Sequence, residues 1–142
     1  MGHTTMRYIL ALTMLLALGG PAWGSSEGES GANETGTQYV ELKPAFVVNV
    51  GEPGARLRYA KVSVTLRVEG KEAADKVDTH RPWIRNELVF LLSGQSIDQV
   101  TSSQGQQGLQ QEALQRINAV LEAEAGEALV TDVLFTEFVV QR

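Results

Sequence analysis

The side chains of this sequence that could support nucleophilic or metal chemistry are few and far apart. After residue 24 the only histidine is His80, and the chain contains no cysteine. Because imidazole and thiolate are the usual ligands of zinc and copper, one chain cannot assemble such a site. A Ser/His/Asp triad would have to use His80, but no serine stands in a G-x-S-x-G turn, and Ser93, next to Gly94, fits a helix end better. We therefore interpret His80 as a surface or helix-flank residue beside Pro82.

The carboxylates do not form a recognisable catalytic pattern either. Glu122, Glu124 and Glu127 cluster near the end of a predicted helix. A solvated helix face explains such a cluster more simply than a catalytic pair of carboxylates does.

The glycines do not form a known nucleotide-binding pattern. Gly51 and Gly54 flank Pro53, as in a turn, and neither G-x-G-x-x-G nor a Walker pattern occurs. Gly105 and Gly108 lie in "QGQQG" at a predicted helix start, where a phosphate could bind in principle, but no lysine lies nearby. We expect no catalytic, cofactor-binding or metal-binding residues, no cofactor and no enzymatic activity.

Trp83 is the one aromatic residue with two competing interpretations. It is either a half-buried helix residue that packs on a sheet or an exposed anchor for a partner protein. The sequence does not decide between them.

Length and composition indicate one globular domain preceded by an N-terminal segment. The chain has 142 residues, 43% of them apolar and 20% charged, with a formal net charge of −5. A chain of this size can form a single core without disulfides or metals. An acidic surface repels phosphate backbones, so we expect no binding to nucleic acid.

The N-terminal segment, "MRYILALTMLLALGGPAWGSS" (6–26), has the features of a secretory signal peptide. Arg7 precedes the eleven-residue run 8–18, which is followed by Gly, Pro and small residues. A membrane-spanning helix needs about 20 apolar residues, so the run is short for an anchor. We predict a signal peptide over 1–24, with a short membrane anchor as the alternative and with Met1 or Met6 as the start. Residues 25–38, "SSEGESGANETGTQ", are too polar to form a core and predict a disordered linker.

The elements of the domain, residues 39–142, follow from periodicity. "YVELKPAFVVNV" (39–50) predicts an edge strand that breaks at Pro44, and "GEPGAR" (51–56) a turn. In 60–69 apolar and polar residues alternate, which predicts a strand with one buried face. "LVTDVLFTEFVVQR" (129–142) predicts a strand. Its apolar residues stand at both odd and even positions, which predicts a central strand that is covered on both faces.

Helices are predicted between the second and third strands. Val77, Ile84, Leu88 and Leu91 form a helical stripe within 71–92, with a kink or a second helix start near Pro82. Gly94 closes this segment, and a short turn or one-turn helix ends at Val100. A second helical stripe lies within 102–128, where Gly126 is a plausible stop, and consists of Leu109, Ala113, Ile117, Val120 and Leu121. The predicted fold class is α+β, with a small, mostly antiparallel sheet, two main helices on one face, and the order strand, strand, helix, helix, strand.

Five segments carry a resemblance to a known family. They are "YVELKPAFVVNV", "RYAKVSVTLRVE", "RPWIRNELVFLLSGQS", "GLQQEALQRINAVL" and "VLFTEFVVQ". In order and spacing, over about 39–141, they resemble the periplasmic domain of FliL, the flagellar basal-body-associated protein. The resemblance implies a core like that of stomatin-type proteins.

The resemblance also implies a non-enzymatic role in the flagellar motor. Proteins of this family associate with the basal body, oligomerise around stator units and support torque, swimming and swarming. Typical members resemble single-pass inner-membrane proteins, whereas the apolar run here has eleven residues. We therefore expect a periplasmic location after signal cleavage, or else an inner-membrane anchor, with membrane contact only if that segment is retained. The alternative function is a soluble periplasmic protein-binding module with a non-flagellar envelope partner.

Overall fold

The computed structural model describes residues 34–54 and 56–141. The predicted signal peptide (1–24) and most of the predicted linker (25–38) lie outside the described residues, and both stay predictions. The elements of the domain, in chain order, are β1 (Thr37–Val50), β2 (Arg58–Glu69), α1 (Lys71–Thr79), α2 (Arg81–Ser93), α3 (Ile97–Thr101), α4 (Ser103–Ala125) and β3 (Val130–Gln141).

The three strands form one antiparallel sheet in the order β1-β2-β3, so β2 is central. The alternation predicted for β2 is confirmed, because every second residue from Ala60 to Val68 is at most 1% exposed. These side chains face the helices, and the apolar area that they remove from water holds the helices on this face of the sheet. The α+β class, the antiparallel sheet and the order of elements are confirmed. The stomatin-like core stays a prediction.

The first strand is an edge strand with an irregularity at the proline, as its sequence predicts. The pairing with β2 runs regularly to Leu42, is interrupted, and resumes at Phe46. The interruption contains Pro44, which has no N–H to donate and follows a cis peptide bond. Pairing begins at Thr37, opposite Glu69, two residues before the expected start of the domain.

The prediction of a central position for β3 is wrong, because β3 is the other edge strand. Its register against β2 shifts twice, and at each shift one extra residue, Thr131 and then Thr136, stands without a partner. Each such bulge reverses the alternation of side chains along the strand. The residues opposite the buried positions of β2 are therefore spaced by three, two, three and two: Val130, Val133, Phe135, Phe138 and Val140. Apolar residues on both parities of β3 thus reflect two bulges, not burial on both faces.

The helical segment around Pro82 consists of two helices, which confirms one of the two alternatives left open. One ends at Thr79, the next begins at Arg81, and Pro82 lies in the first turn of α2, where a missing N–H costs nothing. The predicted stripe, from Val77 on α1 to Leu91 on α2, is buried throughout.

Helix α4 also follows its prediction closely. Leu109, Ala113, Ile117 and Leu121 are buried at four-residue spacing, while Val120 is half-buried. Gly126 ends the helix with φ +82°, the left-handed conformation that glycine adopts without strain.

The two glycines at the start of α4 give a matched test of this packing. A Cβ at Gly105 would overlap the backbone carbonyl of Gln99 and lie 2.6 Å from the Gln99 Cα, whereas a Cβ at Gly108 would meet nothing within 4 Å. We expect Gly105→Ala to lower the free energy of unfolding by about 2 kcal/mol. Gly108→Ala should raise it by about 0.5–1 kcal/mol, because alanine is the better helix former. Urea denaturation measures both, and equal values for the two variants would contradict the close approach of α3 and α4.

Candidate protein-interaction surface

His80 lies at the junction of α1 and α2, where it serves the backbone. Its Nδ1 donates to the Lys76 carbonyl oxygen at 2.8 Å, and its own backbone N–H lies 3.2 Å from the carbonyl oxygens of Lys76 and Val77. This half-buried position on a helix flank agrees with the interpretation from sequence.

Ser93 lies at the opposite end of α2 from His80. Its Oγ donates to the Val89 carbonyl oxygen at 2.6 Å, as expected at a helix end. At a rise of 1.5 Å per residue the two residues are about 20 Å apart along the helix. They cannot form a nucleophile–base pair.

The acidic cluster at the end of α4 is solvent-exposed, and part of it is used in ion pairing. Glu127 accepts from Lys76 Nζ at 3.4 Å, which joins α1 to the segment before β3. This hydrogen bond, the charge of Glu127 and a weaker interaction with Glu72 raise the pKa of Lys76. Exposed pairs of this kind contribute little to stability. Within 34–54 and 56–141, histidine and acidic side chains nowhere gather in a group of three that could hold a metal ion.

The glycine pairs also have structural explanations. Gly51 has φ +103° in the loop after β1 and donates its N–H to the Gln95 carbonyl oxygen at 3.1 Å. Gly105 donates its N–H to Ser102 Oγ at 3.0 Å, so this amide at the start of α4 serves the helix cap.

Trp83 lies on the outer face of α2 and is 56% exposed, which favours the interpretation as an anchor over packing on the sheet. Phe90, seven residues later, lies on the same side of the helix and is 66% exposed. The remaining exposed positions of the helix are Pro82, Asn86, Val89 and Ser93. We call these six residues the α2 face. None of the six is charged, and the half-buried Glu87 adjoins the face, four residues after Trp83 and three before Phe90.

The inner side of α2 fixes this face against the edge of β1. Arg81 Nη1 donates to the Glu41 carbonyl oxygen at 2.8 Å. Arg85 Nη1 donates to the carbonyl oxygens of Leu42, at 3.2 Å, and Pro44, at 2.8 Å. Burial, and secondarily the charge of Arg81, lower the pKa of Arg85 below its usual value. The irregular part of β1 is therefore capped by guanidinium groups, which hold α2 in a defined position.

A second apolar area lies on the face of the sheet opposite the helices. Val47 and Val139 flank Lys61 on neighbouring strands and are 66% and 45% exposed, and Tyr59 next to them is 44% exposed. Polar and charged side chains interrupt this area, among them Lys61, whose Nζ pairs with Glu137 at 3.4 Å. The α2 face is the more continuous apolar surface, and tryptophan and phenylalanine are typical of interfaces between proteins.

Comparison with known proteins identifies the family of this chain. The family model described as "Flagellar basal body-associated protein FliL" matches residues 39–141. The chain belongs to the FliL family. The resemblance inferred from five segments of sequence is thereby confirmed, over the range that those segments predicted.

Individual members of the FliL family are also similar to this chain. The flagellar protein FliL of Aquifex aeolicus (strain VF5) is 36% identical over 108 residues, which cover 76% of this chain and 63% of that protein. FliL of Escherichia coli (strain K12) is 27% identical over 96 residues, covering 68% and 60%. The chain thus matches about three fifths of the length of these FliL proteins. Among the described residues, no helix has the length and apolar character to cross a membrane.

The sequence did not indicate several residues that form or position the α2 face. Phe90 was not singled out, although its distance of seven residues from Trp83 is a helical signal. The roles of Arg81 and Arg85 have no local signal, because their partners lie about forty residues earlier in the chain.

Proposed function

We propose that this protein is a non-enzymatic accessory of the flagellar motor that associates with the basal body and the stator and supports rotation and motility. The observation that carries the proposal is the match of nearly the whole domain to the FliL family. We further propose a periplasmic location after signal cleavage, with a retained inner-membrane anchor as the alternative, and self-association into oligomers.

The α2 face is the part of the domain best suited to contact such a partner. It presents Trp83 and Phe90 on the same side of a helix that is held by Arg81 and Arg85. Burial of two large aromatic side chains at an interface removes enough apolar area to dominate the binding energy.

The test is a motility assay with variants of the full chain. Deletion of the gene should reduce swimming in viscous medium and swarming, and the wild-type gene should restore both. We expect the double variant Trp83→Ala/Phe90→Ala to restore neither fully, while each exposed substitution changes the free energy of unfolding by about 1 kcal/mol or less. Pull-down from envelope extracts with the wild-type protein should recover stator or basal-body proteins, and with the double variant less of them.

The matched control is Tyr39→Ala/Val47→Ala, which removes side chains of comparable exposure, 62% and 66%, from the sheet. It should restore motility as the wild-type gene does. Unchanged swimming and swarming of the deletion strain would contradict the flagellar role. Recovery of only non-flagellar envelope proteins would favour a periplasmic binding module instead. If the control fails and the double variant restores motility, the α2 face is not the contact surface.

A further inference from the structure

The outer edge of β3 is protected along only part of its length. Near its start, Asn118 of α4 pairs with both backbone groups of Val130: Oδ1 accepts from the N–H at 3.0 Å, and Nδ2 donates to the carbonyl oxygen at 2.9 Å. Gln110 Nε2 donates to the Val133 carbonyl oxygen at 3.2 Å. Beyond Val133, the described residues provide no such side chain along this edge.

The contacts of Asn118 also show which backbone groups of β3 point outward. Both backbone groups of Val130, its N–H and its C=O, bond to Asn118 and therefore point away from β2. In an antiparallel pair the groups of the partner residue, Val68, then point away from β3. Strand β2 has regular alternation, so each β3 residue opposite an even-numbered β2 residue presents its N–H and C=O outward. Past Val133 these residues are Phe135, Phe138 and Val140.

A cleft adjoins this open part of the edge. It has a volume of about 470 Å³ and lies between the end of β3 and the α3–α4 region. Ile97, Val100, Phe138 and Val140 provide apolar lining, and Asp98, Thr101 and Gln106 provide polar lining. Arg58 adds a cation that forms no ion pair among the described residues. The cleft is large enough for one or two side chains of a ligand, and its unpaired cation, Arg58, can orient them.

The opposite edge of the sheet is occupied in its middle and just after its end. Arg81 and Arg85 occupy carbonyl oxygens of β1 from Glu41 to Pro44, and Gly51, just after the strand, bonds to Gln95. Open strand edges that lack such protection pair readily with an extended chain.

We propose that β3, from Phe135 to Val140, binds an extended peptide segment of another protein as a fourth strand. The outward N–H and C=O groups of Phe135, Phe138 and Val140 bond to the peptide backbone, as in other cases of strand addition. An apolar side chain of the peptide enters the cleft, and a carboxylate of the peptide pairs with Arg58. The β3 edge of a second copy fits less well, because the acidic residue of its segment 135–140, Glu137, already pairs with Lys61 and Ser63. The proposal depends on the strand edge alone and goes beyond the flagellar role.

The experiment uses the full chain and a phage-displayed library of random twelve-residue peptides as the probe. Selected peptides should combine alternating apolar residues with an acidic one, and on binding should shift the amide resonances of residues 134–141 most. N-methylation of the peptide at alternate residues should abolish binding in one register and spare it in the other, because only every second amide faces β3.

Two variants at one position separate backbone pairing from side-chain contact. Val140→Pro removes an N–H that points outward and leaves the bonds to β2 in place, so the affinity for the peptide should fall about tenfold or more. Val140→Ala keeps the N–H and shortens only the side chain that lines the cleft, so its affinity should fall clearly less than that of Val140→Pro. The peptide methylation series tests the same bonds without altering the protein.

Several results would overturn the proposal. The library could yield no binding peptide, or the bound peptide could shift only resonances of the α2 face. The Val140→Pro variant could bind the peptide as tightly as the wild type, or N-methylation of the peptide could leave its affinity unchanged. A full chain that is dimeric and becomes monomeric with Val140→Pro would assign the edge to a second copy. None of these results bears on the motility of the deletion strain, so this proposal and the flagellar role can fail separately.

Discussion

Phe46→Ala is expected to lower the free energy of unfolding by about 4 kcal/mol, the largest effect that we predict for one substitution in this domain. Phe46 is 2% exposed and is the first residue of β1 to pair with β2 after the irregularity at Pro44. Its ring also lies under the Arg85 guanidinium, 4.2 Å from ring centroid to Cζ. Truncation leaves a cavity and removes this cation–π contact. Since domains of this size are stable by about 5–15 kcal/mol, this loss is roughly a quarter to four fifths of the total stability.

The neighbouring residue is the matched control. Val47 lies on the opposite face of the same strand and is 66% exposed, so Val47→Ala should change the free energy of unfolding by about 0.5 kcal/mol or less. Urea denaturation of both variants measures the difference, and Arg85→Ala in each background measures the coupling to the ring. Similar losses for the two variants would show that β1 does not turn Phe46 into the core as described.

Asn118→Ala is expected to lower the free energy of unfolding by about 2–3 kcal/mol, the second of the large effects. The asparagine amide acts as a strand partner for Val130, a residue that is 5% exposed. The substitution leaves a backbone donor and a backbone acceptor without partners in a site that water reaches poorly. It should also increase the hydrogen-exchange rate of the Val130 amide, since that amide loses its acceptor.

The control for Asn118 is on the same helix. Gln115 is exposed, and Gln115→Ala should leave the free energy of unfolding within about 0.5 kcal/mol of the wild type. If Asn118→Ala lowers the free energy of unfolding as little as Gln115→Ala does and the Val130 amide remains protected from exchange, then α4 does not hold the start of β3. The boundary between the protected and the open part of the β3 edge would then be wrong.

The elements of this domain were predictable where the signal is local. The alternation in 60–69 and the helical stripes that contain Leu88 and Ile117 repeat at the period of their own backbone, and the structure confirms each. Pro44 and Gly126 also act locally, because a missing N–H and a left-handed φ depend on one residue. The position of β3 was mispredicted for a related reason: its two bulges change the period of the strand, and a bulge depends on pairing with β2.

The candidate surfaces were less accessible to sequence reasoning. Trp83 was identified but could not be assigned, because exposure of one side of a helix depends on which side packs on the sheet. Asn118 and Gln110 of α4 bond to the first part of the β3 edge and so define where the open part begins. Neither residue stands in a sequence pattern that predicts such a contact.

Local pattern and chain composition were thus sufficient for the α+β class, the order of the elements and the lack of a recognisable catalytic motif, because these depend on residue type and short-range spacing. The family followed from the resemblance of five segments to known sequences. Tertiary packing decided which strand is central, which aromatic residues are exposed on α2, and how far the edge of β3 is open. These features depend on contacts between residues that are distant in the chain, such as Arg85 with Pro44 or Gln110 with Val133. No local period encodes such contacts, so they had to be read from the folded structure.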